Sequence, residues 1–340
     1  EATGFFSLSF VCYLLFLGIV PSIYLIKTKI IFGTWKRFFT TTSLSVLFLV
    51  ILIFVNASNW LWIDKHSKVL GGLAMPWSYS VNAVLYQSHK HKANQKEILL
   101  PDVTEMDQEK SVVVLVIGES ARRQNFSLYG YSRNTNPLLA TIPNVSVFKA
   151  KSAATYTTAS VKSILDYKET SDLYELLPNY LYRNGVEVIW RTSNWGEPPI
   201  HIKHYQPEKE LKANCQGEAC AYDEVLLTGL KEQILASNKN KLFVVLHTST
   251  SHGPQYSKKY PPRFEVFKPV CNSVELGNCS HDELINAYDN TIVYTDYLLS
   301  RVIDDLKSLK EYHCAMLYVS DHGESLGENN LYMHGVPLIL

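Results

Sequence analysis

Phe5 to Ile26 carries no acidic or basic side chain. At about 1.5 Å rise per residue, a run of this kind can cross a bilayer core of about 30 Å. A second uncharged run follows from about Phe38 to Leu61, with Thr40, Thr41 and Thr42 its least apolar part. Lys27, Lys29, Lys36 and Arg37 lie between the two runs, so the intervening loop is predicted to be cytoplasmic and both outer ends to face the opposite side. Trp60 and Trp62, just before Asp64, suit an outer interfacial belt. Residues 1–66 are therefore predicted to be a membrane region of two helices, about 5–26 and 38–61. Buried core helices or a signal peptide are the competing readings. A cleaved signal fits poorly with two spans and with no small-residue cleavage site. Opening on Glu1 rather than Met, the chain is expected to lack residues upstream.

Charged residues make up 19% of the chain, against about 25% in ordinary soluble domains, and the deficit sits in those two runs. Formal net charge is zero, so neither nucleic acid nor another polyanion is indicated as a partner. Residues 67–110 read as a connector. Ser67–His91 mixes apolar and polar positions and suits either an amphipathic segment in the interface or a linker packed on the following domain. His89–Gln108 is polar and irregular and marks the boundary.

Cysteine usage follows the same topology. Cys215 and Cys220 enclose a short Gln-Gly-Glu-Ala stretch, and Cys271 and Cys279 a turn-rich one. Both pairs follow the second span and suit short-loop disulfides in an oxidising compartment. Zinc binding by these four is the weaker alternative, because neither spacing is the short knuckle type. Cys12 and Cys314 are predicted to be unpaired fillers of a span and a strand.

From residue 111 to 340, apolar runs alternate with amphipathic stretches. Val112–Ile117, Val186–Trp190, Leu242–Leu246 and Ala315–Val319 are short and rich in β-branched or aromatic residues, as in strands buried on both faces of a sheet. Helical spacing runs from Leu284 to Leu306 behind a candidate N-cap, Ser280, and a second helix is predicted over 171–184, ending near Gly185. The alternation predicts an α/β domain with a largely parallel sheet. In such sheets, sites form at the carboxyl ends of strands. Those ends deliver Glu119 and Ser120, then His247 and His252, then Asp321 and His322, with His334 a short loop later. Carboxylate and imidazole are ordinary zinc ligands where thiols are absent. Each of these residues alone reads equally well as a helix cap or a turn; their recurrence at one sheet edge is what points to a metal. A nucleophile would come from Lys151–Ser163, where Thr155, Thr157, Thr158 and Ser160 are all candidates and no histidine base adjoins them.

These residues resemble the bacterial phosphoethanolamine transferase family. The likeness is carried by Val114–Arg122 (VLVIGESAR), Asn125–Pro137 (NFSLYGYSRNTNP), Tyr318–Asn329 (YVSDHGESLGEN) and Tyr332–Gly335, with His252-Gly253-Pro254 and Tyr288-Asp289-Asn290 between them. Both cysteine pairs also fit the family pattern. The resemblance implies an alkaline-phosphatase-like α/β domain tethered to membrane helices, normally five, in the bacterial inner membrane with the catalytic domain in the periplasm. It implies transfer of phosphoethanolamine from phosphatidylethanolamine to lipid A, core sugar or another surface acceptor by a monomeric, zinc-dependent enzyme of ping-pong type. Within it, Glu119, Asp321 and His322 match zinc ligands and Thr157 the nucleophile that shares the metal. His252 and His334 match histidines near the phosphoethanolamine or a second zinc, and Asn194 a headgroup contact. Two departures stand out. Family cysteines that flank the nucleophile fall on Ala153 and Ser163, which questions the rigidity of that loop, and a substrate-binding lysine falls on Pro198. A sulfatase or phosphoglycerol transferase would share the fold, but no Cys/Ser-x-Pro-x-Arg segment is evident; a membrane-anchored binding domain is the non-enzymatic alternative.

Overall fold

The computed structural model describes residues 14–28, 33–55, 78, 82–84, 86–87, 96–104, 107–170 and 172–335. The chain divides into two compact units, Glu1–Trp60 and Leu61–Leu340. In the first, a π-helical turn over Leu14–Ile19 leads into helix α1, Val20–Lys27, and helix α2 spans Trp35–Val55. Pro21 sits in the first turn of α1, where its missing N–H costs no hydrogen bond. Among the described residues, α2 alone is long and apolar enough to cross a membrane: 21 residues, mean hydropathy 2.5, none of them buried. The sequence predicts two spans. Of the first, the described residues include only the Leu14–Lys27 part; Trp60, Trp62, Cys12 and most of the 67–110 connector lie outside them.

The second unit is built on a five-stranded sheet of β1 (Ser111–Gly118), β2 (Glu187–Thr192), β3 (His204–Pro207), β4 (Lys241–His247) and β5 (His313–Ser320), in the order β3-β2-β4-β1-β5. Every pairing is parallel, with Val112 opposite Leu242 on one side and Cys314 on the other. Its helices are α3 (Thr157–Leu165), α4 (Leu177–Arg183), α5 (Glu208–Ala213), α6 (Leu230–Leu235) and α7 (His281–Ser308). A small antiparallel ribbon, β6 (Ser325–Leu326) and β7 (Tyr332–Met333), follows β5.

Strand side chains alternate between faces, and the core follows that period of two. Val112, Val114 and Val116 join Leu242, Val244 and Leu246 against Leu299, Val302 and Leu306 of α7. Leu115 and Ile117 join Val188, Trp190, Phe243 and Val245 against Val161 and Leu165 of α3. Each fully buried aliphatic side chain contributes about 1.5–3 kcal/mol. These two layers fix the central strands and therefore where their carboxyl ends point.

Helix α7 starts where the sequence predicts. Ser280 accepts from the Glu283 N–H while the Glu283 carboxylate accepts from the Ser280 N–H, a complete capping box. Three predictions are corrected. Helix α4 is shorter than 171–184, because Pro178 suits only a first turn and the chain enters it extended at Leu176. β5 is not buried on both faces: among the described residues it lies at the edge of the sheet, with Leu317 54% exposed. Its Cys314 is free but exposed rather than a packed filler. Both predicted disulfides are present, Cys215–Cys220 and Cys271–Cys279.

Candidate metal centre

Glu119, Thr157, Asn194, His252, Asp321, His322 and His334 come together beyond the carboxyl ends of β1, β2, β4 and β5. β1 ends at Gly118, and a Cβ there would collide with the Tyr318 hydroxyl, so only glycine fits at the exit. Ser120 takes φ +53°, a turn that folds its hydroxyl back onto Glu119 Oε1 at 2.6 Å. Its N–H meanwhile donates to Asp321 Oδ1 at 3.0 Å. Tyr288 of α7 locks this turn from below: its hydroxyl donates to Ser120 O at 2.5 Å and accepts from Arg122 N at 2.9 Å. After β5, Asp321 Oδ1 also accepts from the His322 N–H at 2.7 Å. Thr157 is the first residue of α3 and is buried.

The four residues expected to form the metal site meet around one atom, His322 Nε2. It lies 3.4 Å from Glu119 Oε1, 3.2 Å from Asp321 Oδ2 and 3.3 Å from Thr157 Oγ1. Thr157 Oγ1 is 3.2 Å from the other Glu119 oxygen. Ligands held tetrahedrally at about 2.0 Å from zinc stand about 3.3 Å apart. The other imidazole nitrogen, Nδ1, faces the Gly323 carbonyl at 2.9 Å. A carbonyl only accepts, so Nδ1 carries a hydrogen, and with Nε2 free of one its lone pair turns toward two carboxylates and a hydroxyl, as a metal ligand's would. Among the described residues, Asp321 Oδ2 is buried with no hydrogen-bond partner. Converging lone pairs and an orphaned carboxylate oxygen, all buried, are what a cation would satisfy. The donor set therefore fits a metal ion.

His334 lies at the edge of the same cluster. Its ligating atom and those of Glu119 and His322 fall within 4.8 Å of one another. Its ring is 4.4 Å from the His322 ring, and Nδ1 is 3.3 Å from Glu324 Oε1. Glu324 is buried, near the buried Tyr256 hydroxyl. Sequence alone assigns Glu324 no role within its motif; the signal it offers is only its position two residues after His322. The His252 ring stands 5.4 Å from that of His334 and 6.2 Å from that of Trp195.

Asn194 sits differently from a simple substrate contact. Its Nδ2 donates to Glu119 Oε2 at 2.7 Å and to Thr248 O at 2.9 Å, while its Oδ1 accepts from Trp195 N. Both amide hydrogens hold the site's own framework, and Glu119 is one of their targets. His247, also flagged by the sequence, is buried at the end of β4 with Nδ1 3.6 Å from Glu197 Oε2, outside the cluster.

Burial works to raise the Glu119 carboxyl, but the His322 imidazole, the Ser120 hydroxyl and the Asn194 amide outweigh it and hold the group below its ordinary range. Asp321 is pushed up to about 6 by burial and by the neighbouring Glu119 charge. Burial lowers His252; for His334 burial also works downward, but the Glu324 carboxylate prevails and raises it.

A parallel sheet, a strand-end cluster of metal-type ligands and a threonine at a helix start define an alkaline-phosphatase-like α/β domain. The sulfatase family profile matches residues 111–338, and the profile described as phosphoethanolamine transferase EptA/EptB matches residues 1–91. The chain is 41% identical to phosphoethanolamine transferase EptA of Helicobacter pylori over 342 residues, covering 99% of this chain and 65% of that protein. Integral membrane lipooligosaccharide phosphoethanolamine transferase A (EptA) of Neisseria meningitidis superposes with a TM-score of 0.68 at 28% identity, over 98% of this chain and 66% of that one. The C-terminal periplasmic domain of phosphoethanolamine transferase EptC from Campylobacter jejuni gives 0.61 at 37% identity, over 68% and 75%. The chain belongs to the bacterial phosphoethanolamine transferase family. It spans about two-thirds of the length of the Helicobacter relative.

Proposed function

We propose that this chain transfers phosphoethanolamine from phosphatidylethanolamine to lipid A, core sugar or another surface acceptor, through a phosphoethanolamine ester of Thr157. The observation that carries the proposal is the Thr157 hydroxyl, buried at the start of α3 within 3.3 Å of both Glu119 and His322. On this reading residues 1–66 are the membrane region of a multi-pass inner-membrane protein, 67–110 an interfacial connector, and 111–340 a periplasmic catalytic domain acting as a monomer.

The metal is proposed to be zinc, held by Glu119, Thr157, Asp321 and His322; when bound it would lower the pKa of the threonine hydroxyl and neutralise charge on the phosphoryl oxygens. The chain's own groups do the rest. The Thr157 hydroxyl proton is directed at Glu119 Oε2, leaving an oxygen lone pair for phosphorus. In the first step the Thr157 O–P bond forms, the bond from phosphorus to the diacylglycerol oxygen breaks, and that oxygen takes a proton. In the second, an acceptor oxygen attacks phosphorus, the Thr157 O–P bond breaks and the threonine hydroxyl is restored. His252 and His334, the two imidazoles bordering the cluster, are positioned to hold phosphate oxygens or supply the leaving-group proton. Thr157 heads α3, so the helix N-terminus adds fixed positive potential where phosphoryl charge collects. Asn194 is assigned to hold Glu119 in its rotamer and to border the headgroup.

The test is intact-mass analysis of protein purified from cells making labelled phosphatidylethanolamine. Wild type should carry a labelled adduct that maps to Thr157, and Thr157→Ala should carry none. An adduct persisting in Thr157→Ala would overturn the assignment.

A further inference from the structure

Between β2 and β3 the chain runs as a strap, 193–200, beside the metal cluster. Ser193 N donates to His247 O at 3.0 Å, and Ser193 Oγ donates to the buried Asp223 Oδ1 at 2.5 Å. Asn194 N donates to Thr192 Oγ1 at 3.1 Å while its side chain holds Glu119 Oε2. Gly196 takes φ +93°, and a Cβ there would come within 3.3 Å of Thr158 Oγ1 and 3.4 Å of Thr157 Cγ2. The strap therefore meets both a proposed metal ligand and the proposed nucleophile. On another side it borders a cavity of about 580 Å³, lined in part by Trp195, Glu197, Pro198 and Tyr205, and Trp195 is 66% exposed. A segment with this little apolar packing is held by its polar contacts.

Glu197 closes the strap. Its Oε1 accepts from the Tyr205 hydroxyl on β3, and its Oε2 lies 3.6 Å from Nδ1 of His247 at the end of β4. The His247 side chain is fully buried and that of Glu197 is 10% exposed. Among the described residues, His247 Nε2 has no hydrogen-bond partner, so the imidazole hydrogen is best placed on Nδ1, facing the carboxylate. Burial works to raise the Glu197 carboxyl, but the His247 imidazole and the Tyr205 hydroxyl outweigh it and hold the group below its ordinary range. We infer that Glu197 is a positioning residue for the transfer: by latching the strap to β3 and β4 it fixes Asn194, and through it Glu119, and keeps Gly196 against Thr157. The inference rests on the transfer reaction proposed above. Its force comes from geometry, since a displacement of about 1 Å at a reacting group can cost about a hundredfold in rate. A strap freed at Glu197 would shift the partner of Glu119 and the backing of Thr157 together.

The experiment compares full-length wild type with Glu197→Ala, Glu197→Gln and Tyr205→Phe. Charging with phosphatidylethanolamine is followed by intact mass, and exchange of the strap amides by hydrogen–deuterium mass spectrometry. Glu197→Ala is expected to charge about tenfold more slowly at saturating lipid, with KM within about twofold of wild type. Glu197→Gln, whose amide oxygen still accepts from Tyr205, should recover most of that rate. Tyr205→Phe, which keeps the ring and loses one bond of the latch, should be slowed by less than Glu197→Ala, and it carries the test if the alanine variant does not fold. The Ser193, Asn194 and Trp195 amides, all hydrogen-bonded in the strap, should exchange about tenfold faster in the alanine variant. An unchanged charging rate overturns the inference. A raised KM at unchanged rate also overturns it, because Glu197 would then contact the headgroup, and so does a glutamine variant as slow as alanine, because the charge rather than the latch would then matter. If wild type forms no adduct, the proposed reaction fails, and exchange decides the latch alone: faster strap amides in Glu197→Ala support it, and equal exchange overturns it.

Discussion

His322 shows how much one side chain's hydrogen bonding decides. With Nδ1 committed to the Gly323 carbonyl, its second nitrogen can only face the carboxylates of Glu119 and Asp321 as a ligand or as a protonated ring. Binding of zinc to the folded chain alone would stabilise it by about 4 kcal/mol at a thousandfold excess over Kd. Chelator should therefore lower the melting temperature of wild type, and thermal shift with and without chelator should show almost no response in Glu119→Gln. A variant that still responds fully would place the ion elsewhere. Tyr288 acts one layer further out, through the Ser120 turn. Tyr288→Phe keeps the buried ring but strands a carbonyl and an N–H, at a cost of about 1–3 kcal/mol. Denaturant unfolding should register that loss, and zinc affinity should fall with it, since the turn sets where Glu119 points. The Tyr288-Asp289-Asn290 segment was visible in the sequence, but nothing local says that its first hydroxyl reaches a strand end 168 positions away. The residues alone left Thr157 open among its hydroxylated neighbours and only the family resemblance singled it out; the fold places its oxygen 3.2 Å from Glu119 Oε2. The loop that lacks flanking cysteines is tied by other means: Gly335 N donates to Thr155 O at 2.8 Å, and a Cβ at Gly196 would come within 3.3 Å of Thr158 Oγ1 and 3.4 Å of Thr157 Cγ2.

Among the elements, α7 carries the most signal in sequence and the most consequence in structure. Its capping box sits at Ser280, and Ser280→Ala should cost about 1 kcal/mol, measurable as a lower denaturation midpoint at unchanged slope. Further along, Asp296 is fully buried and accepts from the N–H groups of Leu138 and Leu139 at 2.8 and 3.0 Å. Burial pushes its carboxyl up to about 6 from an ordinary value of 3.8. The unfolded carboxyl ionises first as pH rises, so between these values the folded chain holds more protons. Its contribution to stability is complete below the unfolded value and is lost as pH rises through about 6. The unfolding free energy of wild type relative to Asp296→Asn should therefore decline as pH rises across that window and level off above it. A flat difference across the window would contradict the assignment. Four of the five sheet strands were legible as apolar runs. β3 was not, because His204-Tyr-Gln-Pro has neither alternation nor an apolar run. Nor could an apolar run tell that β5 is an edge strand, since pairing partners are set by topology alone.

At the scale of the whole molecule, the second unit places its chemistry on loops beyond the sheet, and the two disulfides close short loops elsewhere, over 215–220 and 271–279. Short loops of this kind yield about 2 kcal/mol each in a chain-entropy account. The two bridges differ in what surrounds them. Cys271 is 2% exposed and packs in one cluster with Tyr256, Tyr288 and Leu284, and its N–H donates to Glu283 O at the head of α7. Cys215 is only partly buried, against the edge of the main core. Removing the Cys271–Cys279 bridge should therefore cost more than chain entropy alone, because it loosens the cluster that holds Tyr288 under Ser120. Removing Cys215–Cys220 should cost about the chain-entropy term. Cys271→Ser/Cys279→Ser is expected to melt lower than Cys215→Ser/Cys220→Ser and to bind zinc more weakly, with the latter close to wild type in zinc affinity. Equal zinc affinities in the two variants would show that the second bridge is insulated from the metal centre. The sequence disclosed both pairs through their spacing, yet not this inequality, which arises from which core cluster each sulfur enters.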